Sequence, residues 1–331
     1  SKSSLPPAVK AKEPQSREAP KTSIPPKKAP VSAPRRPPNP LANVGNDEGV
    51  PVDIPDVETA TLRCASLNVP LWEAEDEDGG VLAGMGSTNW KYRFEATKTL
   101  AAFVSAREVL DSPSDIELDT ACILVFVKEH TRGFKETNVN VTKGILELFL
   151  ALCDYHEKAG QMFPKWAAED GAIAATEKIA DKKLSALSKN LLLSLCVVQP
   201  PHVIHTSAFN AVGKLKSPVA HEEFLKWFKS FCNEFGAASI GPGIGNSVSF
   251  LEEESKSKNI KVKKAALAVF GTMHTHLGPA FQAMTLATVG KDQSLRDQLE
   301  KTFVEHPHDR LAATSDWPKC SLSSSYRNSS T

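Results

Sequence analysis

Apolar residues recur at helical spacing along most of the chain after about residue 81. Val141, Ile145, Leu148, Phe149 and Leu152 share one helical face, as do Leu184, Leu187, Leu191, Leu192 and Leu195. Phe224, Leu225, Phe228, Cys232 and Phe235 make a third stripe. Val262, Ala265, Ala266, Val269, Phe270, Met273 and Leu277 make the fourth and cleanest. Such stripes predict amphipathic helices, each burying one side. The apolar run 121–127 fits a buried strand in isolation, but its helical neighbours and the lack of a partner strand predict a helix.

Helix start signals agree with the stripes. Asn89 can cap a helix beginning at Trp90, Asp181 one running through Leu184, and Asn259 the helix of Val262. Ser217-Pro218 pairs a capping residue with a first-turn proline. The predicted starts fall near 90, 136, 182, 218 and 260, at intervals of 46, 46, 36 and 42 residues. That period is the size of a two-helix HEAT unit. The expected fold is all-α: a HEAT-repeat solenoid of about six helix pairs over residues 81–305, with five full repeats and a terminal helical cap. Such a stack presents its short intra-repeat loops along one edge.

Composition changes the picture at the ends. Residues 1–46 hold eleven prolines among Lys, Ser and Ala, which predicts a semi-extended linker. Residues 1–80 are read as a disordered linker, Pro/Lys-rich and then acidic, in which Val57 to Leu71 could form a short element. Residues 306–331 are read as a disordered tail. The net charge of zero conceals this layout. Residues 1–40 carry nine basic and two acidic side chains, net +7. Residues 41–80 carry one basic and ten acidic, net −9, and the remainder is near balance at +2. Charge asymmetry of this kind points to an interaction tail.

The six cysteines are at least 31 residues apart, so no CxxC pair suggests zinc or redox chemistry. With no apolar leader segment, the expectation is a cytosolic protein with reduced thiols, and a segment of a longer chain. No apolar run approaches the ~18 residues needed to cross a bilayer. Asn140-Val141-Thr142 fits a glycosylation sequon and is read as chance. Residues 239–245 resemble a phosphate loop in glycine content only and are read as an inter-repeat turn. The close pairs His202 and His205, His274 and His276, and His306 and His308 lack a nearby third ligand. No metal, cofactor or catalytic constellation is expected, and the chain is read as a non-enzyme.

The loops that open the second helix of each repeat carry the functional signal. Trp90 and Lys91 stand at the first, Phe134 and Lys135 at the second, Lys182 and Lys183 at the third, and Lys214 and Lys216 at the fourth. Lys256, Lys258, Lys261, Lys263 and Lys264 crowd the fifth around Asn259. Recurrence at one structural position makes a basic edge, suited to an acidic protein surface.

Several segments resemble TOG domains, the tubulin-binding HEAT arrays of the microtubule polymerase family. Asn89-Trp90-Lys91-Tyr92-Arg93-Phe94-Glu95-Ala96 resembles their first-repeat signature. Phe134-Lys135-Glu136-Thr137-Asn138 looks like the Trp-Lys-Glu-Thr-Asn segment of the third TOG domain in multi-TOG members. His221 to Trp227, continuing to Gly236, resembles that domain's fourth repeat. Asn259-Ile260-Lys261-Val262-Lys263-Lys264-Ala265-Ala266 resembles its fifth, and His274 to Pro279 its ending.

The resemblance covers about 81–305. It implies a flat paddle whose loop edge binds αβ-tubulin and microtubules, at plus ends, spindle poles or the centrosome. It assigns Trp90 to β-tubulin and Lys263 to α-tubulin. Lys91, Phe134, Lys135, Lys182, Lys183, Lys258, Asn259 and Lys264 complete the expected contact set. Three departures stand out: Phe134 for tryptophan, Lys263 for arginine and Ile260 for proline. Lysine lacks the bidentate fork of arginine. A HEAT scaffold for a different protein is the alternative reading. Nucleic acid is disfavoured, because the basic tail has no aromatics for base stacking and an acidic neighbour would repel phosphates.

Overall fold

The computed structural model describes residues 54–312, apart from 71, 74–79, 111 and 291. The expected Pro/Lys-rich linker up to residue 53, most of the acidic run and the tail from 313 lie outside the described residues. Among the described residues there are thirteen α-helices and no strand. They are α1 Val57–Ser66, α2 Val81–Gly86, α3 Trp90–Ala106, α4 Pro113–His130, α5 Val139–Ala159, α6 Lys165–Lys178 and α7 Ser185–Val198. Then follow α8 Pro201–Val212, α9 Pro218–Phe235, α10 Ile244–Ser255, α11 Ile260–Leu277, α12 Pro279–Val289 and α13 Gln293–Glu305.

Six consecutive helix pairs run from α2/α3 to α12/α13. The second members pack in order, α3 on α5, then α7, α9, α11 and α13. The first members form the opposite layer: α1 and α2 lie against α4, α6 against α8, and α10 against α12. This is the expected solenoid. The apolar stripes face inward: Val141, Ile145, Leu148, Phe149 and Leu152 are buried on α5, and Val262, Ala266, Val269, Phe270 and Met273 on α11. The run 121–127 is wholly buried inside helix α4. Residues 239–245 span a 3-10 turn with Gly241 at φ +62° and the start of α10, linking the fourth pair to the fifth.

The caps explain where the helices start. Asn89 accepts from the Lys91 amide, and Asn259 from those of Lys261 and Val262. Asn138 does the same for Asn140 and Val141, so α5 starts at Val139, three residues after the expected position. Asp181 instead caps a turn, accepting from the Lys183 amide, and α7 begins at Ser185. Ser217 precedes the first-turn Pro218, but its hydroxyl makes no capping bond.

Both ends of the described body extend past the expected bounds of 81 and 305. Helix α1 buries Ala60 and Cys64 and packs on α4. Its Arg63 Nε donates to the buried Asp119 carboxylate at 2.7 Å, and Arg107 holds the other oxygen. A buried carboxylate needs such partners. After α13, residues 306–312 form a strap along the last two turns of α11. The Asp309 amide donates to the Thr275 carbonyl at 2.9 Å, and the His274 and His276 rings donate from Nδ1 to the carbonyls of His306 and Ala312. The His306 and His308 rings seat where Gly271 and Gly278 leave no side chain in the way.

Candidate functional site

The N-termini of α3, α5, α7, α9 and α11 lie on one edge, because side chains tie each loop to the next. Arg93 in the first turn of α3 pairs with Glu136 of the second loop at 3.0 Å. The Glu136 carbonyl accepts from Lys178, at the end of α6 before the third loop, at 2.8 Å. Ser185 and Lys189 on α7 reach Glu223 on α9. His221 on α9 bridges the Leu215 carbonyl at 2.8 Å and the Glu254 carboxylate before the fifth loop at 2.7 Å.

These ties also fix protonation. Burial alone would raise the Glu136 carboxyl, but the Asn138 amide, Arg93 and the Thr137 amide outweigh it and the net shift is downward. Glu223 is likewise held at about 2, burial being outweighed by Lys189 and Lys226. The Glu254 carboxylate raises His221, with burial opposing and the Leu215 carbonyl assisting.

With their acidic neighbours engaged, the lysines dominate this edge. Lys91, Lys135, Lys182, Lys183, Lys214, Lys216, Lys258, Lys261 and Lys264 are exposed, and Lys263 is half-buried. The first turn of α11 holds Lys261 and Lys263 and no acidic residue. A cation at a helix N-terminus opposes the macrodipole and costs roughly 0.3–1 kcal/mol. Helix stability therefore does not account for lysines there. Trp90 is half-buried, with one side packed on the core. Asn259 is half-buried and engaged as the cap of α11.

Phe134 differs from its expected place in the contact row. It is 3% exposed and meets Phe149 edge-on at 5.1 Å between ring centroids. A buried ring anchors the second loop and leaves Lys135 to face outward. Exposed apolar residues stand on the same edge at the fourth and fifth loops. Val219 is 50% and Ile260 69% exposed, at the second and first positions of α9 and α11. Ile260 was noted in the sequence only as a departure from proline. The cap at Asn259 signals its outward position, since a first-turn residue next to a stripe beginning at Val262 has no core to enter.

Among the described residues, no three His, Cys, Asp or Glu side chains converge on a possible metal position, and no helix is long and apolar enough to cross a membrane. His205 is enclosed by Phe209, Trp227, Phe228 and Phe231, with neither ring nitrogen hydrogen-bonded.

The body matches the structure of Drosophila melanogaster Mini spindles TOG3 with a TM-score of 0.56, covering 71% of this chain and 98% of that one at 19% identity. The fold is that of a TOG domain. A second TOG match comes from work on TOG–tubulin binding specificity in microtubule dynamics and mitotic spindle formation, with a TM-score of 0.55. It covers 76% of this chain and 89% of that one at 16% identity. In sequence, the chain is 25% identical over 203 residues to centrosomal protein 224 of Dictyostelium discoideum. That match takes in 60% of this chain and 10% of that protein's length. No protein-family model matches the chain.

Proposed function

We propose that this chain is a non-enzymatic tubulin-binding module, a TOG domain of the third-TOG type within a multi-TOG microtubule polymerase. The observation that carries the reading is the edge itself. Cross-repeat pairs lock five loops side by side, and the lysines left over from that locking face outward. Trp90 sits at the β-tubulin end of this row and Lys263 at the α-tubulin end. Lys135, Lys182, Lys183, Lys258 and Lys264 lie between them or beside Lys263. Each exposed ion pair contributes ~0–1 kcal/mol and is screened by salt, so binding rests on the row acting together. The module would promote assembly at plus ends, spindle poles or the centrosome by concentrating and orienting tubulin, with no covalent step.

The test is co-elution of the full chain with αβ-tubulin on gel filtration at low salt. Trp90→Ala with Lys263→Ala should abolish the complex. Lys229→Glu, away from the loops on α9, should leave it intact. Unchanged binding by the double variant would refute the assigned contacts. A wild-type chain that binds neither tubulin nor microtubules would refute the function.

A further inference from the structure

A polar cleft of about 360 Å³ opens between the first and second loops. Ser87 and Arg93 line one wall; His130, Arg132, Lys135 and Glu136 line the other. Three of these side chains are cationic and one is anionic. The anion is already engaged: Glu136 takes Arg93 Nε at 3.0 Å and the amides of Thr137 and Asn138 at 2.7 and 2.9 Å. Arg93 is fixed in its wall by the Ser87 and Thr88 carbonyls at 2.7 and 3.0 Å. Arg132 and Lys135 are exposed and have no hydrogen-bond or ion-pair partner among the described residues.

The backbone that presents them is strained. Arg132, Gly133 and Phe134 lie in succession at φ +53°, +70° and +68°. A helix usually ends with a single left-handed residue, most often glycine. Two side-chain-bearing residues there cost ~1–3 kcal/mol each. The buried Phe134 ring and the Gly133 amide, which donates to the Lys128 carbonyl at 2.9 Å, hold this turn. Its result is that Phe134 enters the core while Arg132 and Lys135 on either side line the cleft. Strain retained where two unpaired cations converge points to a ligand of opposite charge.

We infer that this cleft accepts a glutamate or aspartate carboxylate from an acidic segment of a protein partner. Arg132 and Lys135 supply the charge-assisted hydrogen bonds, and the fixed Arg93 guanidinium sets the floor potential. A phosphate is a poorer fit, because the main-chain amides that commonly hold one, those of Thr137 and Asn138, are occupied by Glu136. The inference rests on the reading of this edge as partner-facing.

The experiment is fluorescence anisotropy of a short labelled polyglutamate peptide with the full chain at low salt. Arg132→Gln with Lys135→Gln should weaken binding about tenfold or more, as expected for the loss of charge-assisted bonds. Lys182→Gln with Lys183→Gln, the same charge change one loop away, should weaken it less than about threefold. Equal losses from both pairs, no binding by the wild type, or displacement of the peptide by equimolar inorganic phosphate would each overturn the site. Tubulin co-elution on the same proteins separates the two readings. Tubulin binding without peptide binding removes the cleft alone, and cleft-dependent peptide binding without tubulin binding removes the tubulin assignment alone.

Discussion

Acid should loosen this solenoid through His205. The imidazole is 2% exposed inside four aromatic rings, the nearest being Phe228 at 4.8 Å. Burial pushes its pKa down to about 4. An unfolded histidine titrates near 6.5. Below that value the unfolded chain takes up the proton first. Stability is therefore full above about pH 6.5 and falls as the pH drops toward 4. The interval of about 2.5 units is worth about 3 kcal/mol in full, of which about 2 kcal/mol is lost by pH 5. His156, whose Nε2 meets the Thr120 hydroxyl, is also lowered by burial to about 4 and adds a similar amount.

The assay is urea unfolding of the wild type and His205→Phe at pH 7.5 and pH 5.0. Phenylalanine keeps the aromatic contacts and removes the titration. The wild type should lose about 2 kcal/mol more than the variant between the two conditions. Comparing the losses cancels every group the two proteins share. Equal losses would show that the ring is not a neutral, enclosed imidazole, and the argument would fail.

Other consequences can be checked by thermal or denaturant unfolding. Asp119→Ala leaves Arg63 and Arg107 facing each other without the buried carboxylate and should cost about 3–5 kcal/mol. Gly144→Val should destabilise markedly, because any Cβ there lands on the Thr97 hydroxyl of α3, and a normal melting temperature would mean that the two helices are not in close contact. Asn259→Ala removes the cap of α11 and should cost about 1 kcal/mol while also weakening tubulin binding; unchanged stability would deny the capping role. Ile260→Ser should leave the melting temperature unchanged but reduce tubulin co-elution, and full retention of the complex would place the residue outside the interface.

What could be read from residue order was mostly local. Asn89 and Asn259 announce their helices because a short polar side chain satisfies first-turn amides wherever it stands. The stripes on α5 and α11 follow from periodicity alone. Helix α1 was only a possible element, since its segment is short and buries only Ala60 and Cys64. Its place depends on Arg63 meeting Asp119, 56 residues away. Phe134 was legible as an aromatic in a loop. Its inward turn depends on three successive positive φ values, which are unusual for Arg and Phe. The lysine row was visible in order, but its alignment on one edge came from pairs such as Arg93–Glu136 and His221–Glu254, which join different repeats.

The strap on α11 makes the two ends of that helix different. Its contacts fall on residues 271–278, whereas the fifth loop opens the same helix at Ile260. At 1.5 Å per residue, the helix's 18 residues separate those ends by about 27 Å. Ala312, the last described residue, therefore lies toward the end of α11 opposite the lysines. A partner seated on the lysine edge therefore leaves the strap uncovered, and the two ends of α11 face different surroundings.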